Sequence, residues 1–175
     1  MNKKYAPLLF GLVPLIVVLA FLAFKLYTVT TGTEILLKTA PVDPRDLFRG
    51  DYVNLRYEIS SISMPKVPAD RSFNPDETIY ATLSREDKFW NIDAISHDKP
   101  ELKEESVCMK GKVMYASSDR LTVEWGIESY FVPEGEGRII ERQRNLDLSV
   151  LVSVDSSCSS VIKSLLINDT EVKFR

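Results

Sequence analysis

The sequence predicts a β-dominated fold, in which an N-terminal transmembrane helix precedes an antiparallel β-sandwich or barrel-like domain with one short helix. Three observations predict it. An uncharged run of twenty residues lies near the N-terminus, the rest of the chain alternates apolar and polar residues with a period of two, and turn-forming residues separate the alternating stretches. With 175 residues, the chain has room for one domain besides the helix.

The uncharged run covers residues 5–24 and reads YAPLLFGLVPLIVVLAFLAF. Twenty helical residues rise about 30 Å, which is the thickness of the hydrocarbon core of a bilayer. A cleaved signal peptide would have a shorter apolar core followed by small residues, whereas Phe24, Lys25 and Leu26 are bulky. We therefore expect an uncleaved anchor at 5–27, after an N-terminal segment at 1–4 and before a polar linker at 28–33.

Charge predicts the orientation of this anchor. Lys3 and Lys4 precede the run, Lys25 stands alone on the other flank, and positive residues favour the cytoplasmic side. We expect a single-pass protein of the inner (cytoplasmic) membrane, with its N-terminus cytoplasmic and the domain at 34–175 periplasmic or extracellular.

Past residue 25 the chain has 19 basic and 25 acidic residues, a formal charge of −6. This balance predicts no nucleic-acid partner, since phosphates need a basic face.

Alternation predicts the strands of the outer domain. It is clearest from Tyr52 to Ile59, where every second residue from Val53 onward is apolar. The proline-rich stretch 60–77 predicts a surface loop, and the short helix is expected from about Arg138 to Asn145, after a glycine-containing turn. Similar strand patterns cover 34–39, 78–84, 88–95, 107–115, 121–132, 148–154, 161–167 and, after an Asn168-Asp169 turn, 171–174.

Two clusters of residues depart from plain alternation. The first is Gly50-Asp51-Tyr52-Val53-Asn54-Leu55-Arg56-Tyr57, a turn that leads into a strand. The second is a corner before the expected helix and contains Tyr130, Phe131, Pro133, Glu134, Gly135 and Gly137. Both are explained as structural corners if they lie at opposite ends of a sheet. If they meet in space, they form a shared groove, which favours a ligand.

The first cluster resembles the signature Gly-Asp-Tyr-x-x-Leu-x-Tyr of the GDYXXLXY family of bacterial membrane-anchored proteins. All five fixed positions are present, as Gly50, Asp51, Tyr52, Leu55 and Tyr57. The second cluster looks like another landmark of that family. Members are often encoded beside a polytopic membrane protein, so the resemblance implies an integral membrane partner. It supplies no catalytic residues and no specific function.

Candidate chemistry is sparse in this sequence. Asp51, Glu134 and Glu136 could gather around a hard cation, and a small-ligand, cation-binding or hydrolytic site would be built around Asp51 and Glu134. His97 is the only histidine, and its polar surroundings predict a surface residue rather than a metal ligand. We expect no metal, no cofactor and no enzymatic activity.

Cys108 and Cys158 are the only cysteines, and an even count fits a disulfide in an oxidising compartment. The sequence leaves open whether they are bonded or form two separate thiols, because it does not give the distance between their Cα atoms.

The function we favour is a membrane-anchored envelope protein that acts as a binding or assembly module. It would bind the lipid bilayer through its helix and an integral membrane protein as its partner. Aromatic side chains on the solvent face of the Tyr52 strand would mark the partner surface.

Overall fold

The computed structural model describes residues 6–40, 52–133 and 147–172. Over these ranges the chain forms one long helix and eleven strands, and all paired strands are antiparallel, which confirms the predicted fold class. The elements are α1 (Ala6–Thr31), β1 (Thr33–Lys38), β2 (Tyr52–Asn54), β3 (Ser61–Ser63), β4 (Thr78–Glu86), β5 (Phe89–Ser96), β6 (Ser106–Ala116), β7 (Arg120–Glu124), β8 (Ser129–Phe131), β9 (Leu148–Val154), β10 (Ser160–Ile167) and β11 (Thr170–Glu171).

Helix α1 is apolar on all sides. Its segment Leu12–Thr31 has a mean hydropathy of 2.3, so among the described residues one helix is long and apolar enough to span a membrane. The side chains from Leu12 to Ala23 are exposed, and Pro14 lies inside the helix. A helix with no polar face and no protein cover along this length is typical of a segment that needs an apolar environment.

The strands form three sheets within the described ranges. Their orders are β1-β9-β10-β11, β3-β7-β6-β4-β5 and β2-β8. Alternate residues of the strands point into one hydrophobic core. In β4, for example, Ile79, Ala81 and Leu83 are buried while the residues between them are half-buried. Strand β9 lies inside the first sheet, between β1 and β10, and six of its seven residues are buried.

Two predicted strands are shorter in the structure than in the sequence pattern. The stretch predicted at 121–132 is interrupted between β7 and β8, where Gly126 has a φ of +78° and the Trp125 N–H donates to Glu128 Oε1 at 2.6 Å. The strand predicted at 52–59 ends at Asn54 and is followed by a 3₁₀ turn at Glu58–Ser60. Alternating burial persists past Asn54, which is why the sequence pattern continues beyond the strand.

Three further segments differ from expectation or lie outside the described residues. The expected linker at 28–33 is instead the last helical turn and the start of β1, since Thr30 and Thr31 donate their hydroxyls to main-chain carbonyls one turn earlier. The expected loop at 60–77 begins with strand β3, which pairs with β7. The helix predicted from Arg138 to Asn145 lies outside the described residues. The Asn168-Asp169 turn is present, and both residues have positive φ.

Candidate functional site

The described parts of the two sequence clusters lie side by side. Strands β2 and β8 pair in register, with Tyr52 opposite Phe131 and Val53 opposite Tyr130. The pairing continues past β2, where the Leu55 N–H donates to the Glu128 carbonyl at 2.7 Å. The remaining predicted residues of the clusters lie outside the described residues; they are Gly50, Asp51, Glu134, Gly135, Glu136 and Gly137. A carboxylate site at Asp51 and Glu134 therefore stays a prediction.

Leu55 and Tyr57 of the first cluster are buried. Tyr57 is 1% exposed, and its hydroxyl donates to the Ile127 carbonyl at 2.6 Å. Burial raises the pKa of the Tyr57 hydroxyl, and the negative charge of Glu128 adds to the shift, so the phenol stays protonated and acts as a donor. These contacts hold the segment after β2 against the turn between β7 and β8. In this part of the motif the side chains stabilise the fold.

Neighbouring side chains of the second cluster differ in burial, because some pack against the core and others face the solvent. Tyr130 is half-buried and packs against the core, while Phe131 is 58% exposed and Pro133 is half-buried. Burial raises the pKa of the Tyr130 hydroxyl, with Glu171 adding a smaller contribution. The paired β2–β8 ribbon therefore carries a large exposed aromatic side chain on the face away from the core.

A second marked arrangement joins the end of α1 to the β domain. Thr28 is fully buried there. Its hydroxyl donates to Asp155 Oδ2 at 2.6 Å, and its carbonyl accepts bonds from Ser153 Oγ at 2.7 Å and the Gly32 N–H at 3.1 Å. A Cβ atom on Gly32 would lie 2.7 Å from the Thr28 carbonyl oxygen and 2.9 Å from that of Val154. The helix thus enters the domain through a close-packed, hydrogen-bonded joint, which we call the α1 joint.

The turn between β9 and β10 builds its side of the α1 joint. Asp155 Oδ1 accepts bonds from the Ser157 N–H at 2.8 Å, the Ser157 hydroxyl at 2.6 Å and the Ser159 N–H at 3.0 Å. Burial alone would raise the pKa of Asp155, but the bonds from Ser157, Thr28 and Ser159 outweigh it and lower that pKa. Asp155 is therefore held as a carboxylate that orders the turn and binds the helix end.

A disulfide fastens the same turn to the five-stranded sheet. Cys158 in the turn is bonded to Cys108 of β6, with the Cα atoms 4.9 Å apart and both residues almost fully buried. The Cys158 carbonyl also accepts the Lys110 N–H at 2.8 Å. The disulfide thus couples the α1 joint to the strands that form the core.

His97 has surroundings that the sequence did not predict. Its side chain is only 10% exposed, because the ring stacks on Phe73 with centroids 3.9 Å apart. Nδ1 lies 2.9 Å from Asp70 Oδ1, and Nε2 lies 3.3 Å from Glu77 Oε2. The expectation of an exposed surface histidine was wrong, because residues 70–77 fold back over the end of β5. Across the described ranges, no group of three or more His, Cys, Asp and Glu residues could hold a metal ion.

Sequence reasoning missed the α1 joint and the His97 cluster for the same reason. Both join residues distant in sequence, such as Thr28 and Asp155, and neither has a local motif. The available signal was the group of three threonines, Thr28, Thr30 and Thr31, since their hydroxyls can bond within a helix as well as in a linker.

One match to a protein family covers most of the chain. A family model described as GDYXXLXY protein matches residues 14–165, which include most of α1, the motif at residues 50–57 and most of the β domain. No curated protein matches the chain, and neither does any solved structure.

Proposed function

The chain belongs to the GDYXXLXY family, and from this premise we propose that it is a single-pass membrane protein of the bacterial envelope that works by association. In this proposal the β domain is a binding or assembly module for an integral membrane partner. The observation that carries the proposal is the α1 joint. It fixes the domain to a helix that is apolar enough to span a bilayer.

The length of α1 supports a domain held close to the membrane surface. Its 26 residues rise about 39 Å, and about 30 Å of that length is needed to cross the hydrocarbon core. The remaining length of about 9 Å reaches into the headgroup layer. Since Gly32 alone separates α1 from β1, the domain begins at that level, beside the membrane surface.

The disulfide supports an extracytoplasmic domain. Disulfides persist in oxidising compartments such as the periplasm and are rare in the cytosol. The bond between Cys108 and Cys158 lies in the turn that contacts the helix end, so it would sit on the side to which α1 delivers the domain. This agrees with the orientation favoured by Lys3 and Lys4, in which the N-terminus is cytoplasmic.

The β2–β8 ribbon supports association as the mode of action. Leu55 and Tyr57 of the family motif follow β2 and are buried, so their side chains contribute to the fold. Phe131 on the same ribbon is 58% exposed, and aromatic side chains are enriched where proteins bind one another. We place the partner contact on this face.

Photocrosslinking in intact membranes tests the partner. A photoreactive amino acid at Phe131 should yield one discrete adduct with an integral membrane protein. The matched control carries the same group at Tyr115 of β6, which is 56% exposed, and should give no such adduct. Recovery of monomer alone from the Phe131 position, or the same adducts from both positions, would contradict the proposal.

Membrane placement is tested separately. A reporter enzyme fused after Arg175 should be active only in the compartment outside the cytoplasmic membrane, and the full-length chain should sediment with membranes. A chain found in the soluble fraction, or a reporter active in the cytosol, would refute the placement whatever the crosslinking result.

A second candidate function is a small-ligand, cation-binding or hydrolytic site built around Asp51 and Glu134. The pairing of β2 with β8 favours it, because Asp51 directly precedes β2 and Glu134 follows β8 by three residues. Asp51→Asn and Glu134→Gln should then abolish a cellular phenotype while near-ultraviolet circular dichroism shows the domain still folded. Loss of folding in both variants would indicate a structural role instead.

A further inference from the structure

Strand β5 lies at an edge of the five-stranded sheet, and residues 64–77 cover part of that edge. The Ile95 N–H donates to the Pro68 carbonyl at 2.9 Å, and Ala69 forms an isolated parallel bridge with Ile95. Two residues further on, the His97 N–H donates to Asp70 Oδ2 at 3.2 Å. We call the segment 64–77 the edge cover. Its residues 68–70 occupy two main-chain donors of β5 that an uncovered edge would offer to another chain, while Asp76 and Glu77 bond to Val113 of β6.

The His97 ring is the side-chain contact that holds the edge cover at this end. Asp70 and Glu77 of the cover face its two ring nitrogens, and Phe73 of the cover stacks on the ring with an interplanar angle of 6°. Phe73 is 6% exposed, so its position depends on this closed arrangement. Both carboxylates are themselves positioned, Asp70 by the Arg71 N–H and Glu77 by the side chain and N–H of Asn74.

Two carboxylates facing both ring nitrogens suit an imidazolium better than a neutral imidazole. An imidazolium donates from both nitrogens, whereas a neutral ring has one N–H and turns a lone pair toward the other carboxylate. Hydrogen bonds between charged groups are also the stronger ones. Loss of the ring proton therefore removes one hydrogen bond. It also leaves a nitrogen lone pair facing a negatively charged carboxylate, and the two repel each other.

We propose that His97 is a proton-sensitive latch, which holds the edge cover on β5 while the ring is protonated and loosens it when the proton is lost. The charged groups that face the ring are the carboxylates of Asp70 and Glu77. The next charge on the cover, Asp76, is paired with Lys112 of β6 at 2.7 Å, and Asp98 and Lys99 follow His97 along the chain.

The direction of the pH dependence follows from the signs of these charges. Several hydrogen bonds, including those from His97, lower the pKa of Asp70 despite the opposing effect of its burial. Bonds from Asn74, and then from His97, lower the pKa of Glu77. The carboxylates therefore keep their charge in weak acid and lose it only as the pH falls through those lowered pKa values. The imidazolium donates to both carboxylates while the ring is protonated, and one of these bonds is lost with the proton. The edge cover is therefore held more tightly when the ring is protonated than when it is neutral.

Hydrogen–deuterium exchange of the full-length protein in detergent micelles tests the latch. After correction for intrinsic exchange rates, amides of peptides covering 64–77 and 93–97 should lose about tenfold in protection between pH 5.5 and pH 8.5, the effect of one charged hydrogen bond. Amides of β9, buried in the centre of its sheet, report global stability and should not follow this trend.

Variants assign the pH dependence to His97. His97→Gln cannot titrate, so protection of the edge cover should be independent of pH. Lys112→Gln removes the neighbouring ion pair with Asp76 but keeps His97, so the tenfold dependence should remain. A flat profile in the wild-type protein would overturn the proposal without any variant. An equal slope in wild type and His97→Gln would do so as well. Should His97→Gln not fold, Asp70→Asn provides the second test and should reduce the slope.

Discussion

Replacing Tyr57 with phenylalanine tests whether the family motif serves the fold. The change keeps the ring and removes the hydroxyl, which donates to the Ile127 carbonyl at 2.6 Å. Both residues are at most 3% exposed, so the carbonyl would be left buried without this donor. An unsatisfied buried group of this kind costs about 1–3 kcal/mol. For a domain of this size, a loss of about 2 kcal/mol lowers the Tm by roughly 6 °C.

Thermal unfolding in detergent micelles, followed by tryptophan fluorescence, measures the change, since Trp125 is 3% exposed and lies beside Ile127 in the turn. Tyr115→Phe is the matched control, because Tyr115 is 56% exposed, and its Tm should stay within about 1 °C of the wild type. The Tyr57 hydroxyl is protonated throughout the neutral range, as burial raises its pKa, so the difference should be the same at pH 6 and pH 9. An unchanged Tm for Tyr57→Phe, or an equal loss in both variants, would refute this reasoning.

Three more predictions concern the α1 joint. Gly32→Ala should lower the free energy of unfolding by about 1–3 kcal/mol, measured by urea titration, because the added methyl group meets the Thr28 carbonyl, which cannot move without breaking its bonds. Cys108→Ser with Cys158→Ser should cost about 2–4 kcal/mol for a bridge between residues 50 apart; equal stability of wild type with and without reductant would argue against it. Asp155 has a lowered pKa, so its contribution is present above the ordinary carboxyl range and is lost as the pH falls through the lowered pKa. Asp155→Asn should therefore flatten the acid side of the unfolding profile, and an unchanged slope would exclude this carboxylate as the cause.

The strands were predictable because each has one buried face, and burial of alternate residues leaves a period of two in the sequence. Strand β4 is an example, since its pattern marks 78–84 and the structure has Thr78–Glu86. The same rule overran at 55–59, where side chains alternate between core and solvent although the strand ends at Asn54 and the main chain is paired only by single bonds and an isolated bridge. Alternation reports which side chains are buried, and strand pairing is a separate property that depends on the neighbouring main chain.

The contacts between distant segments were not predictable in the same way. The five fixed positions of the motif identified the family, but the role of Tyr57 depends on Ile127, seventy residues away. His97 was expected on the surface because its sequence neighbours are polar, whereas its burial comes from Phe73 and two carboxylates across a loop. Residue type alone predicts neither partner, since each contact exists only after the sheets have formed.

The hydrogen bonds of the α1 joint couple the end of the helix to the β domain, so the two move together. Strand β1 carries the chain about 20 Å from the joint to the bridge between Thr39 and Tyr57. In the membrane placement proposed above, a tilt of the helix by about 20°, a common inclination for membrane spans, displaces a point about 20 Å from the joint by roughly 7 Å. The position from which the domain would meet a partner then depends on the tilt of α1 in the bilayer as well as on the surface of the domain.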